Sequence, residues 1–261
     1  MTRRLPTLLV VAATAAIVVA CSSAPTGPAL TDPKAIVAAA LTATQNAKSV
    51  HLDITVDGTA SVALPIGGAT GTPIDLTGTT ATADIDFARP AAHATFAAPA
   101  LLGLAGELIA LDTKVYLKTT LTGPLYQVSS AAAAPIDPTK AQGMLGGLGE
   151  LLAKPGVNLA KGADIACGTK SCYAVTADLT AADLGTTGSS IVGSLPVDLA
   201  GASLKLALRV EKDLPYHLAG ATAVITMPGG AVVTVDLTAS KWDLPVTVTA
   251  PAADKVKPAS S

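Results

Sequence analysis

Aromatic residues are scarce in this sequence. Only 3% of its 261 residues are Phe, Trp or Tyr, although 50% are hydrophobic and the mean hydropathy is +0.52. Large rings usually fill the irregular space between packed layers, so an interior of Ala, Val and Leu either packs very close to its cover or leaves room. A space lined by such side chains would stay dry and would accept acyl chains. The composition is compatible with either a close-packed interior or one that contains an apolar cavity.

Charged residues are also few, and they form no runs of one sign. They make up 14% of the chain, and the formal net charge is −2. Nucleic acids and anionic membrane surfaces attract proteins through clustered Lys and Arg, which this sequence lacks. We therefore expect no nucleic-acid partner and no attraction of the chain to a membrane by net charge.

Motifs that mark common enzymes are absent. The sequence contains no Gly-x-Ser-x-Gly elbow, no Ser-x-x-Lys, no phosphate-binding loop and no His-Glu-x-x-His zinc site. His51, His93 and His217 stand singly in strand-like segments, where a solvent-facing or hydrogen-bonded role is commoner than catalysis. Asp53, Asp57, Asp84 and Asp86 alternate with apolar neighbours, as on a solvated sheet face. We expect no enzyme activity, no cofactor and no metal.

The only long apolar run lies at the N-terminus. It extends from Leu8 to Ala20, follows Arg3 and Arg4, and ends at Cys21. A helix needs about 20 apolar residues to span a bilayer, so this shorter run is typical of a cleaved signal peptide. Residues 1–20 are predicted to be that signal peptide. The twin arginines leave the export route open.

The segment Val18–Cys21 resembles the bacterial lipobox, in which the Cys thiol receives a diacylglyceryl group after cleavage. We therefore expect lipidation at Cys21, with the protein anchored to the extracytoplasmic face of the cell membrane. An ordinary signal peptide followed by an incidental Cys is the alternative.

The mature chain is predicted to fold as one domain. Cleavage before Cys21 leaves 241 residues and changes the net charge from −2 to −4, because two Arg are lost. This length suits one large β-rich domain or two small ones. We favour a single domain over residues 31–250, a flexible lipidated tether over 21–30, and a C-terminal tail over 251–261.

Two further cysteines, Cys167 and Cys172, flank the turn-like segment 168–171. In an oxidising compartment, a pair at this spacing is typically a disulfide. A metal or redox pair is the alternative, but no second Cys pair or His cluster accompanies it.

Helical periodicity is clearest after the tether. Asp32 is a good N-cap and Pro33 suits the first helical position. The predicted helix ends near Ala47, and its apolar face is formed by Ile36, Val37, Ala40, Leu41 and Thr44. A second helix is predicted over Pro138–Ala153, weakened by several Gly, and a third helical piece between Thr180 and Leu195.

Strict alternation of apolar and polar residues predicts half-exposed antiparallel strands. It occurs over Val50–Val56, Leu204–Val210 and Val233–Leu237, and Leu111–Tyr116 and Met227–Gly230 have hairpin character. The predicted class is α+β, a curved antiparallel half-barrel with a few helices on its concave side, enclosing a hydrophobic cavity.

Several of these segments, in this order, resemble the LppX/LprA/LprF/LprG lipoproteins of mycobacteria and their relatives. The segments are the helix opening at Asp32–Pro33, Lys48–Gly58, Leu111–Tyr116, Tyr173–Leu184, Thr238–Trp242 and Val246–Val248. The resemblance implies a half-barrel over helices whose cavity binds lipid or lipoglycan and helps to move it across the envelope. It also implies an inner-membrane lipid exporter as a partner.

The predicted cavity lining consists of inward-facing aliphatic residues on the helices and strands. They are Ile36, Leu41, Ile54, Val56, Leu148, Leu152, Leu206, Leu208, Val233 and Val235. Two other functions stay open: a structural or adhesive surface lipoprotein with a filled core, and an unrecognised envelope enzyme.

Overall fold

The computed structural model describes residues 27–62, 72–130, 147–154, 156–183 and 201–257. These ranges contain 13 strands, one long helix and short helical pieces. The elements are α1 (Pro33–Asn46), β1 (Ser49–Val62), β2 (Thr72–Asp75), β3 (Thr79–Asp86), β4 (Ala91–Ala98), β5 (Leu104–Leu111), β6 (Lys114–Thr119), β7 (Gln127–Ser130), α2 (147–153), β8 (Asn158–Lys161), β9 (Ile165–Cys167), β10 (Lys170–Leu179), β11 (Ser203–Glu211), β12 (Leu218–Thr226), β13 (Val232–Ser240) and a 3-10 turn (Ala253–Lys255).

Helix α1 begins and ends as its sequence predicts. The Asp32 carboxylate accepts a hydrogen bond from the Lys34 amide at 3.1 Å, and Pro33 occupies the first turn. The helix ends where Ala47 turns to extended backbone. Its predicted face is buried at Ile36, Val37, Ala40 and Thr44, with Ala43 in addition.

The two weaker helix predictions fall only partly on described residues. Residues 147–153 are helical, as expected for the C-terminal half of the segment 138–153, and residues 181–183 form a helical turn. Residues 138–146 and 184–195 lie outside the described residues.

The strands form one antiparallel sheet within the described residues. Its order is β7-β6-β5-β4-β3-β1-β13-β12-β11-β10-β8, with β2 added to β1 and β9 added to β10. In these ranges β7 and β8 are the edges and do not pair with each other, so the sheet is open. The alternating segments are strands β1, β11 and β13, and the two hairpins join β5 to β6 and β12 to β13. A largely antiparallel α+β fold with few helices is therefore confirmed.

The register separates the sheet into two faces. Ile54 lies opposite Leu237 on one side and Ala81 on the other, and Ala221 lies between Leu237 and Leu208. Because side chains alternate along a strand, all five point to the same side of the sheet. Helices α1 and α2 pack on this side, which we call the inner face; the opposite side is the outer face.

The predicted disulfide is present. Cys167 and Cys172 are bonded, with Cα atoms 5.9 Å apart, and close the turn between β9 and β10. The bond fixes this short hairpin at the end of the sheet.

The segment after β13 runs across the outer face instead of leaving the sheet. The Arg89 guanidinium donates to the Val246 carbonyl at 3.2 Å. Farther along, the Tyr126 amide donates to the Lys255 carbonyl and the Lys257 amide donates to the Tyr126 carbonyl, both at 2.8 Å. Residues 251–257, predicted as a tail, are thus bonded to the sheet.

Candidate functional site

The inner face is apolar on nearly every strand. Its side chains are aliphatic with very few aromatics, as the composition requires. The apolar positions are Val115 and Leu117 on β6, Leu108 and Ala110 on β5, Ala92, Ala94 and Phe96 on β4, Ala81, Ala83 and Ile85 on β3, Val50, Leu52, Ile54 and Val56 on β1, Val233, Val235, Leu237 and Ala239 on β13, Ala221, Ala223 and Ile225 on β12, Leu204, Leu206, Leu208 and Val210 on β11, and Val175, Ala177 and Leu179 on β10.

One half of this face is covered by the helices. Ile36 of α1 and Leu151 of α2 are fully buried in one cluster with Leu208 of β11. Position 149 has no side chain, and a Cβ there would lie 2.7 Å from the Leu41 Cδ1 atom, so the two helices approach closely. Among the described residues, a void between α1, α2 and the sheet measures about 10 Å³, no more than one water needs. This half is close-packed.

Within the described residues, no helix covers the other half of the face in the same way. On β1 and β13 the side chains of Ile54, Val56, Val235 and Leu237 are only half-buried. On the neighbouring strands β3 and β4, alanines supply much of the surface: Ala81, Ala83 and Ala94. Since Ala projects only a methyl group, an apolar ligand could lie close to the backbone here.

The structure divides the ten predicted lining residues between these regions. Six belong to the helix-covered half: Ile36, Leu152, Leu206 and Leu208 are buried, and Leu41 and Leu148 pack against them. Val56, Val233 and Val235 form a small separate cluster with Ala60 and Met227, and Ile54 is half-buried on the adjoining part of β1. Contact of these residues with a ligand stays a prediction.

The sequence pattern did not predict that alanines such as Ala81 and Ala83 belong to the inner face. Thr80–Ala83 does alternate between polar and small residues, but Ala is too weakly hydrophobic to mark an inward face. Only the pairing of β3 with β1, which places Ala83 opposite Leu52, shows that these methyl groups belong to the apolar surface.

Trp242 packs at the end of the inner face. Its indole N–H donates to the Leu218 carbonyl at 3.1 Å, and its ring stacks on His217 with centroids 4.8 Å apart. Burial lowers the pKa of His217, which therefore stays neutral at pH 7. The pair closes an edge of the apolar cluster that contains Val50 and Ala239.

Polar groups gather on the outer face in cross-strand pairs. His51 Nδ1 lies 2.7 Å from the Asp84 carboxylate, and Arg209 lies 3.2 Å from the carboxylate of Asp236. Such pairs stabilise neighbouring strands and face away from the apolar surface. Among the described residues, no group of three or more His, Cys, Asp or Glu side chains could hold a metal ion.

Glu107 is the centre of the most connected of these networks. It lies 2.7 Å from Lys118 Nζ, 2.7 Å from the Tyr126 hydroxyl, and 2.9 Å from His93 Nε2. Hydrogen bonds from Lys118 and Tyr126, aided by His93, outweigh burial and lower the pKa of Glu107 from 4.5 to about 2. The carboxylate is thus stabilised in its charged form by folding.

Replacing Glu107 with Gln should destabilise the domain by about 1–2 kcal/mol at pH 7, allowing for solvent screening of a partly exposed group. Because the pKa of Glu107 is lower in the folded than in the unfolded protein, the charged carboxylate stabilises the fold above the unfolded pKa, and this stabilisation is lost as the pH falls. The difference in free energy of unfolding between wild type and variant should therefore shrink between pH 4.5 and about 2. Urea unfolding of both proteins at pH 7 and pH 3 measures this difference in free energy. An equal difference at both pH values would contradict the assigned network.

Comparison with known proteins agrees with this architecture. The model of the family described as LppX_LprAFG lipoprotein matches residues 32–248. The crystal structure of LprF from Mycobacterium bovis is 20% identical, with a TM-score of 0.59, and the match covers 85% of this chain and 97% of that one. For LppX from Mycobacterium tuberculosis the identity is 17% and the TM-score 0.52, covering 83% and 98%.

At these identities the two structures support the fold alone. No curated protein sequence matches the chain. Within the described residues, no helix is long and apolar enough to cross a membrane. Because the family model spans most of the sequence, this chain belongs to the LppX_LprAFG lipoprotein family.

Proposed function

We propose that this protein is an exported envelope lipoprotein that binds the acyl chains of a lipid or lipoglycan on the inner face of its sheet. It carries them between the membrane and the outer envelope. The observation that supports this proposal is the continuous apolar inner face, half-buried on β1 and β13 where the helices do not pack closely. Membership of a lipoprotein family agrees with it.

The energetics favour a ligand with more than one acyl chain. Burying a methylene group contributes roughly 0.8 kcal/mol, so a chain of about 15 methylenes contributes roughly 12 kcal/mol when fully buried. Association costs about 4–15 kcal/mol in lost freedom. One acyl chain on a partly open face would roughly offset that cost, and a second acyl chain would make the binding free energy clearly favourable. A half-barrel that curves around the ligand, with the helices on its concave side, would supply the required enclosure.

The anchor in this proposal is the lipidated Cys21, which holds the domain on the extracytoplasmic face of the cell membrane. An inner-membrane lipid exporter would deliver the ligand. The protein acts as a carrier and not as a catalyst, since the titratable pairs of His51, Glu107 and Arg209 lie on the outer face, across the sheet from the bound chains. The half-exposed aliphatic side chains of Ile54 and Val235 would then contact the ligand directly.

Native mass spectrometry of the soluble domain, produced without residues 1–21, tests the proposal. We expect protein carrying one or more lipid masses, which organic extraction removes and which lipid analysis identifies as acyl lipids. The control is the extracted and refolded domain offered a fluorescent fatty acid. A domain that is purified from cells without lipid and that takes up no fatty acid afterwards would favour the surface lipoprotein with a filled core.

A further inference from the structure

The antiparallel sheet has two ends that differ in the chain segments they carry. The anchor end, as we name it, contains the α1–β1 connection (47–48), the β3–β4 connection (87–90), the β5–β6 turn (112–113), the β9–β10 turn (168–169), the β11–β12 connection (212–217) and the start of the segment after β13 (241–243). The far end contains the β4–β5 turn (99–103) and the β6–β7 connection (120–126). Strand β11 has nine residues, so the two ends are separated by about 30 Å.

The described chain begins at the anchor end and is fixed there. The Tyr216 hydroxyl donates to the Pro28 carbonyl at 3.0 Å, and the Leu30 amide donates to the Tyr173 hydroxyl at 2.9 Å. Gly27 lies so close to Tyr216 that a Cβ at this position would overlap the phenol ring. The start of the domain is therefore bound to the β11–β12 connection.

The distance from this point to the lipid is short. Six peptide steps join Cys21 to Gly27, and a fully extended chain of that length spans at most about 20 Å. Acyl chains on Cys21 would insert in the bilayer within that radius of Gly27. Because the far end is about 30 Å farther along the strands, the anchor end is the one that the lipid holds against the membrane.

Exposed aliphatic side chains occur at both ends of the sheet: Leu102 and Leu121 of the far end are 93% and 68% exposed, so the position of the tether, and not exposure, distinguishes the anchor end. Two such side chains of the anchor end lie beside the β9–β10 turn and in the β11–β12 connection. Leu214, in the β11–β12 connection, is 45% exposed, and Ile165 of β9 is 39% exposed. The register places Ile165 and Glu211 on either side of Cys172, and the Lys212 amide donates to the Ser171 carbonyl at 3.0 Å. The disulfide closes the same hairpin, so Ile165 is presented on a constrained turn.

Charges are also distributed unequally between the ends. Six cationic residues lie in or directly beside the connections of the anchor end: Lys48, Arg89, Lys114, Lys170, Lys212 and Lys241. The far-end connections 76–78, 99–103, 120–126 and 227–231 contain no Lys or Arg. The same connections carry nearly as many acidic residues: Asp86, Asp112, Glu211, Asp213 and Asp243. Some of these charges are paired, as in Glu211 with Lys170 and Asp164 with Lys212, both at 2.6 Å. The anchor end is therefore charged but nearly balanced, and it would not repel lipid headgroups.

We propose that the anchor end is a membrane-docking surface, which rests on the lipidation of Cys21 in the function proposed above. Leu214 and Ile165 insert among the headgroups of the bilayer that holds the anchor. Exposed aliphatic tips near an anchored terminus gain apolar burial at the interface, and a second weak attachment orients a protein that one tether leaves free to rotate. The inner face then stands upright on the membrane, with its strands along the bilayer normal.

Depth-dependent fluorescence quenching tests this orientation. The mature chain from Cys21 onward, whose other two cysteines are bonded to each other, is coupled through Cys21 to maleimide lipid in vesicles of phosphatidylcholine and phosphatidylglycerol. A Leu214→Trp variant reports on the anchor end. Its matched control is Leu121→Trp, which places the same indole at a 68% exposed position of the far end. Wild-type protein, with Trp242 alone, supplies the background.

With dibrominated phosphatidylcholine in the vesicles, we expect quenching of the Leu214→Trp protein to exceed that of the Leu121→Trp protein by about twofold or more. Equal quenching, stronger quenching of the control, or none in either would overturn the docking proposal. The maleimide bond replaces the natural lipid, so a negative result here leaves lipidation at Cys21 and lipid binding by the inner face to their own tests.

Discussion

A Val56→Phe or Val235→Phe variant should stay folded and lose co-purified lipid. Both side chains are half-buried on the inner face, beyond the close packing of the helices, so a larger ring extends into the space that we assign to acyl chains. The melting temperature should hold or rise as the ring fills that space. Bound lipid, measured by extraction and mass spectrometry, should fall several-fold relative to wild type.

The same change elsewhere on the sheet supplies the controls. Leu208 is 5% exposed beneath α1 and borders a void of only about 10 Å³, so Leu208→Phe should cost roughly 1–3 kcal/mol by overpacking. Val224→Phe places the ring on the outer face, opposite Thr234, and should leave both lipid and stability unchanged. If Val56→Phe and Val235→Phe lower the melting temperature as Leu208→Phe does, and wild type carries no lipid, the inner face is a filled core.

A Cys21→Ser variant should abolish anchoring altogether. The thioether to diacylglycerol needs the thiol, and a hydroxyl at this position leaves the chain uncleaved or released. In cells fed a labelled fatty acid, wild-type protein should take up label and remain with the membranes. The variant should be unlabelled, and its mass should show whether residues 1–20 are still attached.

Globomycin, which blocks the lipoprotein signal peptidase, is the matched control for processing. It should cause wild-type protein to accumulate with its signal peptide and should have no such effect on the variant. An unlabelled wild type would leave the ordinary signal peptide as the correct interpretation of Val18–Cys21 and would remove the anchor from the proposed function.

Local rules predicted those elements whose residues carry strong local signals. Asp32 and Pro33 specify the start of α1 through capping and a fixed φ angle, which act within a few residues. Val50–Val56 alternates strictly, and β1 follows it. By contrast, β4 has Ala at five of its eight positions, a composition that does not favour a strand, and its partners β3 and β5 determine its structure.

The candidate site could be predicted less completely. Periodicity identified which side chains face inward, such as Ile54 and Leu208, because alternation is a local property of a strand. It could not distinguish the close-packed Leu208 from the half-buried Val235, since that depends on where α1 and α2 pack on the sheet. Burial at each position depends on residues distant in sequence.

Segments outside the strands show most clearly that local sequence patterns do not predict contacts between residues far apart in the chain. Residues 251–257 have no hydrophobic period and read as a tail, yet they are hydrogen-bonded to Tyr126 more than a hundred positions earlier in the chain. Likewise, Leu214 and Ile165 share one end of the molecule with Gly27 only because antiparallel pairing brings three distant turns together.

The sequence by itself determined the boundaries of α1, the alternating strands, the pairing of Cys167 with Cys172 and the aliphatic character of the interior. Each follows from chemistry within one turn, one strand or one short loop. The tertiary structure alone decided which half of the apolar face the helices fill, which alanines join it, and which end of the sheet holds the tether. Those properties depend on strand order and register, which are set by packing between residues far apart in the chain.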